Sequence, residues 1–435
     1  LKSTIGLINL GCAKNIVDAE IMLGILHKDG YKITLDEKEA DIVIINTCSF
    51  IKAAETESVK AVVKIAESGK KLIITGCLAQ KYKHELMEAV PEALAIVGTS
   101  DIDNICDIVK SIDNKNKSVY KVSDLPEYNY NERAERFQIT VGSSSYIKIA
   151  EGCNYSCSYC IIPALRGSYR SRTIESIVNE AEKLAKKGVS EIVLIAQDTT
   201  SYGKDIYGQP QLAELLEKLN ELEDISWIRI MYTYPSLVTD KLIKTIASLD
   251  KVVKYIDIPL QHSHPEILKL MNRPPIDNSD LIKKLRDNIP DIAIRTAFIT
   301  GFPGETEEHY EHLYNFIEEH KFDKLGIFKY SREKNTGSYS LKNQIPVKIK
   351  NQRYKSLMQL QQSVSTEINR SLIGKTIPVI VETLTSTGKI IGRSYRDAPE
   401  IDGIVYIETP KAILPGDVID AKIVKSSEYD LFAEY

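Results

Sequence analysis

Between residues 139 and 330 the chain repeats one unit six times: a short run rich in Ile, Leu and Val, then a helical pattern. The runs are "SYIKIA", "EIVLIA", "WIRIMY", "KYIDIPL", "IAIRTAFI" and "KLGIFKY". Stretches such as "IESIVNEAEKLAKKG" and "EEHYEHLYNFIEEHKF" separate them, with apolar residues at helical spacing. Strands alternating with helices build a parallel sheet covered by those helices. Six units make an incomplete version of the eight-unit barrel. Such sheets carry their active sites at the C-terminal ends of the strands.

Two other regions flank this one. Residues 1–118 alternate "TIGLINL", "ADIVIIN" and "KLIIT" with the helical "VDAEIMLGILHKDG" and "AAETESVKAVVKIAESG". That pattern predicts an open α/β sheet. The polar stretch "SDLPEYNYNERAERFQ" reads as a linker over 119–138, and the barrel region runs over 139–367. From 368 to 435, "TIPVIVETL", "GKIIGRSY", "GIVYIET" and "DVIDAKIVKSSEYDLFAEY" are short strand-like runs between Gly and Pro. They predict a small antiparallel β-barrel. Three folded regions suit 435 residues.

The formal net charge of −4 gives no overall basic signature for nucleic acid. No apolar run approaches the ~18 residues that a membrane span needs. The first residues, "LKSTIGLINLGCAKN", lack a secretory pattern, and the start at Leu1 suggests that residues were removed ahead of it. A cytoplasmic setting is the expectation.

Seven cysteines are present, at 12, 48, 77, 106, 153, 157 and 160. In a reducing compartment cysteines more often bind metals or catalyse than form disulfides. Cys12 follows "LINLG", Cys48 follows "IVIINT" and Cys77 follows "LIITG", so each sits just past the end of a predicted parallel strand. Three readings are open for this triad: separate core cysteines, a zinc site, or an iron–sulfur cluster held by three thiolates. For zinc, the histidines of this region are His27 and His84, and neither lies at a strand end. The shared position of all three favours the cluster. Cys106, in "DNICDIV", has no partner motif and reads as a helix-packing residue.

The second triad lies in "EGCNYSCSYC", where Cys153, Cys157 and Cys160 follow the first barrel strand with C-x3-C-x2-C spacing. An iron–sulfur cube normally takes four thiolates. Three leave one iron without a protein ligand, as a catalytic metal keeps one position for its substrate.

This spacing, with Tyr159 before the last cysteine, resembles the signature of the radical S-adenosylmethionine (SAM) superfamily. There SAM chelates the open iron and is cleaved to methionine and a 5′-deoxyadenosyl radical. An α/β domain with three further cysteines, then the barrel, then a TRAM-like β-barrel, is similar to the radical SAM methylthiotransferases. These enzymes replace C–H with C–S–CH3. The resemblance implies a transferase with two 4Fe-4S clusters and SAM. It implies Cys12, Cys48 and Cys77 as ligands of an auxiliary cluster that delivers sulfur, and Cys153, Cys157 and Cys160 as ligands of the SAM cluster.

Within that family one branch modifies a tRNA adenosine and another an aspartate of ribosomal protein S-twelve. "LGCAKNIVDAE", "AQDTTSYG", "YIDIPLQHSHPEILKLMNRP" and the terminal "EYDLFA" resemble the second. Residues 370–435 carry eight basic and ten acidic side chains, which suits a basic ribosomal protein better than RNA. The expected reaction is methylthiolation of the aspartate β-carbon. The expected partners are S-twelve and an electron donor such as flavodoxin or ferredoxin, with no membrane and with the enzyme a monomer. The alternatives are a tRNA adenosine methylthiotransferase and, from another class, a non-catalytic iron–sulfur carrier or RNA-binding module.

Tyr159, Gln197, Gln261, Arg295, Gly301 and Tyr330 lie in the signature or near barrel-strand ends and are the expected SAM contacts. Asp198 and the loop "TGFPGE" lie there too. "HSH" at 262–264 reads as a polar loop near the site rather than a metal site. The C-terminal β-barrel is expected to help present the substrate loop to both clusters.

Overall fold

A computed structural model describes residues 2–115, 118–131, 133–140, 142–274, 276–385, 389–409 and 412–435. The N-terminal region is a six-stranded sheet built from β1 (Thr4–Asn9), β2 (Lys32–Thr34), β3 (Ile42–Thr47), β4 (Lys71–Gly76), β5 (Ala93–Val97) and β6 (Val119–Lys121). All its pairings are parallel, in the order β2-β1-β3-β4-β5-β6. This is a doubly wound open sheet whose direction of winding reverses between β1 and β3, where such sheets place their ligands. Val119–Lys121 pairs with β5, so the sheet continues into what the sequence pattern assigns to the linker. β2 and β6 are three residues each, too short for a periodic signal.

The rest of the linker is irregular in backbone but firmly held. Arg136 is buried and pairs with Glu20 of the helix Ala13–Lys28 and with Glu180 of the helix Ile174–Ala185, the latter at 2.7 Å. The segment crosses the first helix at Gly24. A Cβ there would stand 1.9 Å from the Glu135 carbonyl oxygen, so only glycine allows the crossing.

The central region supplies β7 (Ser144–Lys148), the short hairpin partners β8 (Ala150–Glu151) and β9 (Arg170–Ser171), then β10 (Glu191–Ile195), β11 (Trp227–Ile230), β12 (Tyr255–Asp257), β13 (Ala293–Thr300) and β14 (Lys324–Lys329). Parallel pairings join β7, β10 and β11, and likewise β12, β13 and β14. A parallel bridge from Ile228 to Val252 links the two halves into the expected six-stranded partial barrel. Alternate residues serve two cores, as the period of a strand requires. On β10, Ile192 and Leu194 pack under the outer helices. Val193 and Ile195 face inward, in one cluster with Val17, Ile21 and Met22 of the helix Ala13–Lys28. The first helix is therefore buried against both its own sheet and the barrel.

A long helix, Val347–Ser371, leads into the last region. There β15 (Thr376–Leu384), β16 (Ile390–Ser394), β17 (Val405–Glu408), β18 (Val418–Ser426) and β19 (Leu431–Glu434) close into a barrel in the order β15-β16-β17-β19-β18. It is not wholly antiparallel, because β17 and β19 run in the same direction.

This small barrel docks at the N-terminal ends of the central strands. Glu191, at the start of β10, is fully buried and accepts from Arg393 of β16, from Arg229 Nε at 2.8 Å and from Ser144 Oγ at 2.7 Å. Lys324 and Asp323, at the start of β14, pair with Asp397 and Arg396. The cysteines lie at the opposite strand ends. The contacts of this barrel brace the N-terminal end of the central sheet, and its Asp402 reaches Arg295 at 3.5 Å and Tyr255 Oη at 2.9 Å.

Candidate active site between two cysteine triads

Cys12, Cys48 and Cys77 each begin the loop or helix that follows β1, β3 and β4. Cys12 occupies the N-cap of Ala13–Lys28 and Cys77 the first position of Cys77–Tyr82. The three strands are adjacent, so the thiols gather at the point where the winding reverses. Contact is close: a Cβ on Gly11 would lie 3.2 Å from Cys48 Sγ. Cys12 is exposed, whereas Cys48 and Cys77 are buried. Burial raises the Cys48 thiol, and it pushes Cys77 up to about 12 against the opposing pull of Arg166.

Cys153, Cys157 and Cys160 lie on the loop between β8 and the short helix Ile162–Arg166. The loop is pinned from several sides. Cys153 N donates to Gly167 O at 3.0 Å, Ser158 N to Met271 O at 2.9 Å, and Ser338 N to Ser158 O at 2.6 Å. Gly152 enters it at φ +81°, where a Cβ would stand 2.0 Å from Ser168 O. Burial pushes Cys153 up to about 11 and Cys160 up to about 12.

The all-thiol donor set and the position of each triad past strand ends fit a cluster with one iron left open.

Between the triads lies a layer of buried charge. Arg166 donates to Asp18 Oδ2 at 2.7 Å, to Asn15 Oδ1 at 2.7 Å and to Glu151 Oε2 at 3.3 Å, and reaches Cys77 Sγ at 3.8 Å. It belongs to the helix that follows Cys160, so one side chain connects the two cysteine sites. Lys148 pairs with Asp18 and, at 2.7 Å, with Glu151. Burial opposes the charge on Glu151, but Lys148 and Arg166 outweigh it and hold the carboxyl well below the usual range. Asp257 is buried, accepts from Arg295 at 2.9 Å and from Tyr232 N at 3.1 Å. Lys14 sits 3.0 Å above the Tyr232 ring, and burial lowers its ammonium to about 8.

The expected SAM contacts differ in their surroundings, and Arg295 pairs with Asp402 of the C-terminal barrel at 3.5 Å as well as with Asp257. Gln197 follows β10 and donates to Glu151 Oε1 at 2.6 Å, leaving its own buried Oε1 without a partner. Tyr159 packs with Ile267, Met271, Phe302 and Tyr330. Gln261 has φ +71° and its backbone bridges to Phe298. Arg295 is engaged with Asp257. Gly301 N donates to Glu305 Oε1 at 2.9 Å, and the side where its Cβ would stand is filled by Lys350. The Tyr330 hydroxyl is committed to Ser338 Oγ at 2.8 Å. Gly301 and Tyr330 thus have structural partners of their own, and the "TGFPGE" loop folds back on Glu305, which Arg353 also holds. Asp198 accepts from Tyr155 at 2.9 Å, and Tyr155 stacks on Tyr234 with ring centroids 3.9 Å apart.

In "HSH", His262 is buried with Nε2 3.4 Å from Glu305, and His264 caps the helix Pro265–Leu270. His264, Glu266 and His309 converge, but the Nδ1 atoms of both histidines accept backbone N–H groups. That fixes the proton on Nε2, the atom a metal would need. Cys106 packs against the N-terminal core as a helix residue.

Sequence reasoning missed Lys14, Asp18, Lys148, Glu151, Arg166 and Asp257. For Lys148 and Asp257 the signal was a charge inside an apolar strand, in "YIKIA" and "YIDIP", at a position whose alternation points into the barrel; Lys14, Asp18 and Arg166 lie on helices and carry no such signal.

Comparison with known proteins agrees with this geometry. Residues 147–317 match the radical SAM superfamily, residues 4–98 the "Uncharacterized protein family UPF0004", and residues 373–435 the TRAM domain. Among solved structures, the radical SAM methyltransferase TsrM from Kitasatospora setae, bound to cobalamin and a [4Fe-4S] cluster, is similar in fold. Its TM-score is 0.55 at 14% identity, covering 76% of this chain and 72% of TsrM. The domain match defines a radical SAM protein, and its full-length relatives make it a radical SAM methylthiotransferase. Two relatives are full-length: "Ribosomal protein uS12 methylthiotransferase RimO" of Gloeothece citriformis is 48% identical, over 100% of this chain and 99% of that protein. The protein of the same name from Synechocystis sp. is 46% identical, over 99% and 97%. The chain belongs to the RimO family. Its cofactors are SAM and two 4Fe-4S clusters. Among the described residues no helix is long and apolar enough to cross a membrane.

Proposed function

We propose that this chain methylthiolates the β-carbon of an aspartate in ribosomal protein uS12, with the reacting carbon held between the two cysteine sites. The observation that carries this reading is Arg166, which follows one triad in sequence and touches a cysteine of the other. A single substrate atom can therefore lie within reach of both. Cys153, Cys157 and Cys160 hold the cluster that binds SAM, and Cys12, Cys48 and Cys77 hold the auxiliary cluster. When bound, these groups supply a 5′-deoxyadenosyl radical and the methylthio group.

The protein's own residues prepare the site. Six thiols must shed their protons to bind iron, against the burial that raises four of them. Arg166 favours the thiolate at Cys77. Asp18, Glu151, Asp257 and Asp402 hold Arg166, Lys148 and Arg295 in ion pairs, and Lys14 alone among these cations has no carboxylate of the described residues paired to it. The rigid sheets on either side hold the reacting groups in place, which is where most of the rate gain of a positioned reaction arises. Tyr159, Gln197, Gln261 and Arg295 surround SAM, with Gly301 and Tyr330 supporting them from behind. An electron donor of the flavodoxin or ferredoxin kind, and action as a monomer in the cytoplasm, belong to the same proposal.

The test is mass spectrometry of uS12 and of tRNA after incubation with the reconstituted enzyme, SAM and a reductant. One aspartate should gain the mass of one sulfur and one CH2. Methylthiolation of tRNA with none on uS12 overturns the reading.

A further inference from the structure

Lys14 is the cation of the buried layer that no carboxylate of the described residues holds in an ion pair. It is 7% exposed, yet it makes no hydrogen bond or ion pair with any described residue. The nearby carboxylates are taken: Asp18 by Lys148 and Arg166, Glu151 by Lys148, Arg166 and Gln197, and Asp257 by Arg295. What Lys14 has is the Tyr232 ring, 3.0 Å below its Nζ. A ring face offsets only part of what burying an ammonium costs.

Two further observations place an anion beside it. Lys14 stands in the first turn of a 16-residue helix whose N-cap, Cys12, makes no side-chain cap and whose first turn has no acidic residue. The positive end of a helix disfavours a lysine and favours an anion. Tyr232 has φ +59°, a conformation costly for an aromatic residue, and its N–H is fixed on Asp257 Oδ2 at 3.1 Å. The strain holds the half-buried ring beneath the ammonium, on the barrel side of the gap between the triads.

We propose that Lys14 is the specificity residue that receives the side-chain carboxylate of the substrate aspartate. The inference rests on the functional reading above and adds to it the group that tells aspartate from its neutral isostere. A carboxylate oxygen bonded to Nζ places the adjacent β-carbon within about 5 Å of that nitrogen. That is one residue from Ala13 and two from Cys12, at the junction of both sites. The same contact orients the β-hydrogens, because it fixes the carboxylate on which the β-carbon hangs. Asparagine could offer its Oδ1 to the ammonium but no negative charge, and would leave the buried charge uncompensated.

The experiment uses the full-length enzyme with both clusters reconstituted and two labelled peptides copying the uS12 loop, one with the target aspartate and one with asparagine there. Wild type should bind the aspartate peptide about tenfold or more tightly than the other. Lys14→Met should bind both alike, with its iron content measured to show that the clusters load, and Lys14→Arg should restore part of the preference. Equal binding of the two peptides by wild type overturns the proposal without any variant. So does a loaded Lys14→Met enzyme that keeps the preference, as it would if Lys14 only balanced the thiolate at Cys12. Wild type that leaves uS12 unmodified but modifies tRNA defeats the functional reading itself, a distinct result.

Discussion

Arg393→Met tests how the C-terminal barrel is attached. Arg393 is 1% exposed and donates to Glu191, to Ser144 Oγ at 2.8 Å, to Asp397 O at 2.7 Å and to Glu382 at 3.0 Å. Burial opposes the charge on Glu191, but Arg393 and Arg229 outweigh it and bring its carboxyl from 4.5 down to about 2. At about 1.36 kcal/mol per pH unit, that interval corresponds to about 3 kcal/mol of stability. Removing one partner of a buried pair costs about 3–5 kcal/mol, which agrees. The expected result is a melting temperature lower by several degrees, read by calorimetry. A lowered carboxyl stabilises the fold above its unfolded pKa and loses that contribution as pH falls toward its folded one. Wild type should therefore weaken between about pH 4.5 and 2, and the variant should weaken less over the same interval. Glu191→Gln combined with Arg393→Met should cost less than the separate losses added together. At low temperature SAM cleavage should persist, since Glu191 lies at the far end of β10 from the cysteines. An unchanged melting temperature, or an acid slope equal to wild type, would refute the argument that this contact is a buried, paired charge.

Other outcomes follow from the two cysteine sites. Replacing Cys153, Cys157 and Cys160 with Ala should leave about four irons per chain and stop SAM cleavage, whereas replacing Cys12, Cys48 and Cys77 should leave cleavage but stop methylthiolation; product from the second variant would sink the division of labour. Gly152→Ala forces a Cβ to 2.0 Å from Ser168 O at φ +81°, so the loop must move and the SAM cluster should fail to load while the other remains. Iron analysis and 5′-deoxyadenosine formation check this, and full values of both would show that the loop yields.

The sequence was most readable where one period dominated. All six barrel runs became strands, because each is an apolar stretch bounded by turns and too short for a helix. The two cysteine triads were legible as groups because position and spacing coincided. The edge strands Lys32–Thr34 and Val119–Lys121 were not, since three residues cannot display alternation. The parallel pair in the last barrel was hidden for a different reason: strand direction comes from the path of the connection, not from composition. The buried ionic layer escaped because its members come from separate elements, with Asp18 and Lys148 130 residues apart. Arg136 escaped likewise, lying in a polar stretch whose charges are satisfied only when two regions meet.

The double burial of the helix Ala13–Lys28 has a consequence for how the chain is made. Its partners on the barrel side, Val193 and Ile195, are translated well over a hundred residues after it. At about 5–20 residues per second, the N-terminal sheet waits on the order of ten seconds or more with one apolar flank uncovered. During that interval Val17, Ile21 and Met22 have water or another chain as their neighbour. Residues 1–121 made alone should therefore associate or bind chaperones rather than stand as a free unit. The order of synthesis makes the auxiliary cluster's fold the first to begin and dependent for completion on the barrel that follows it.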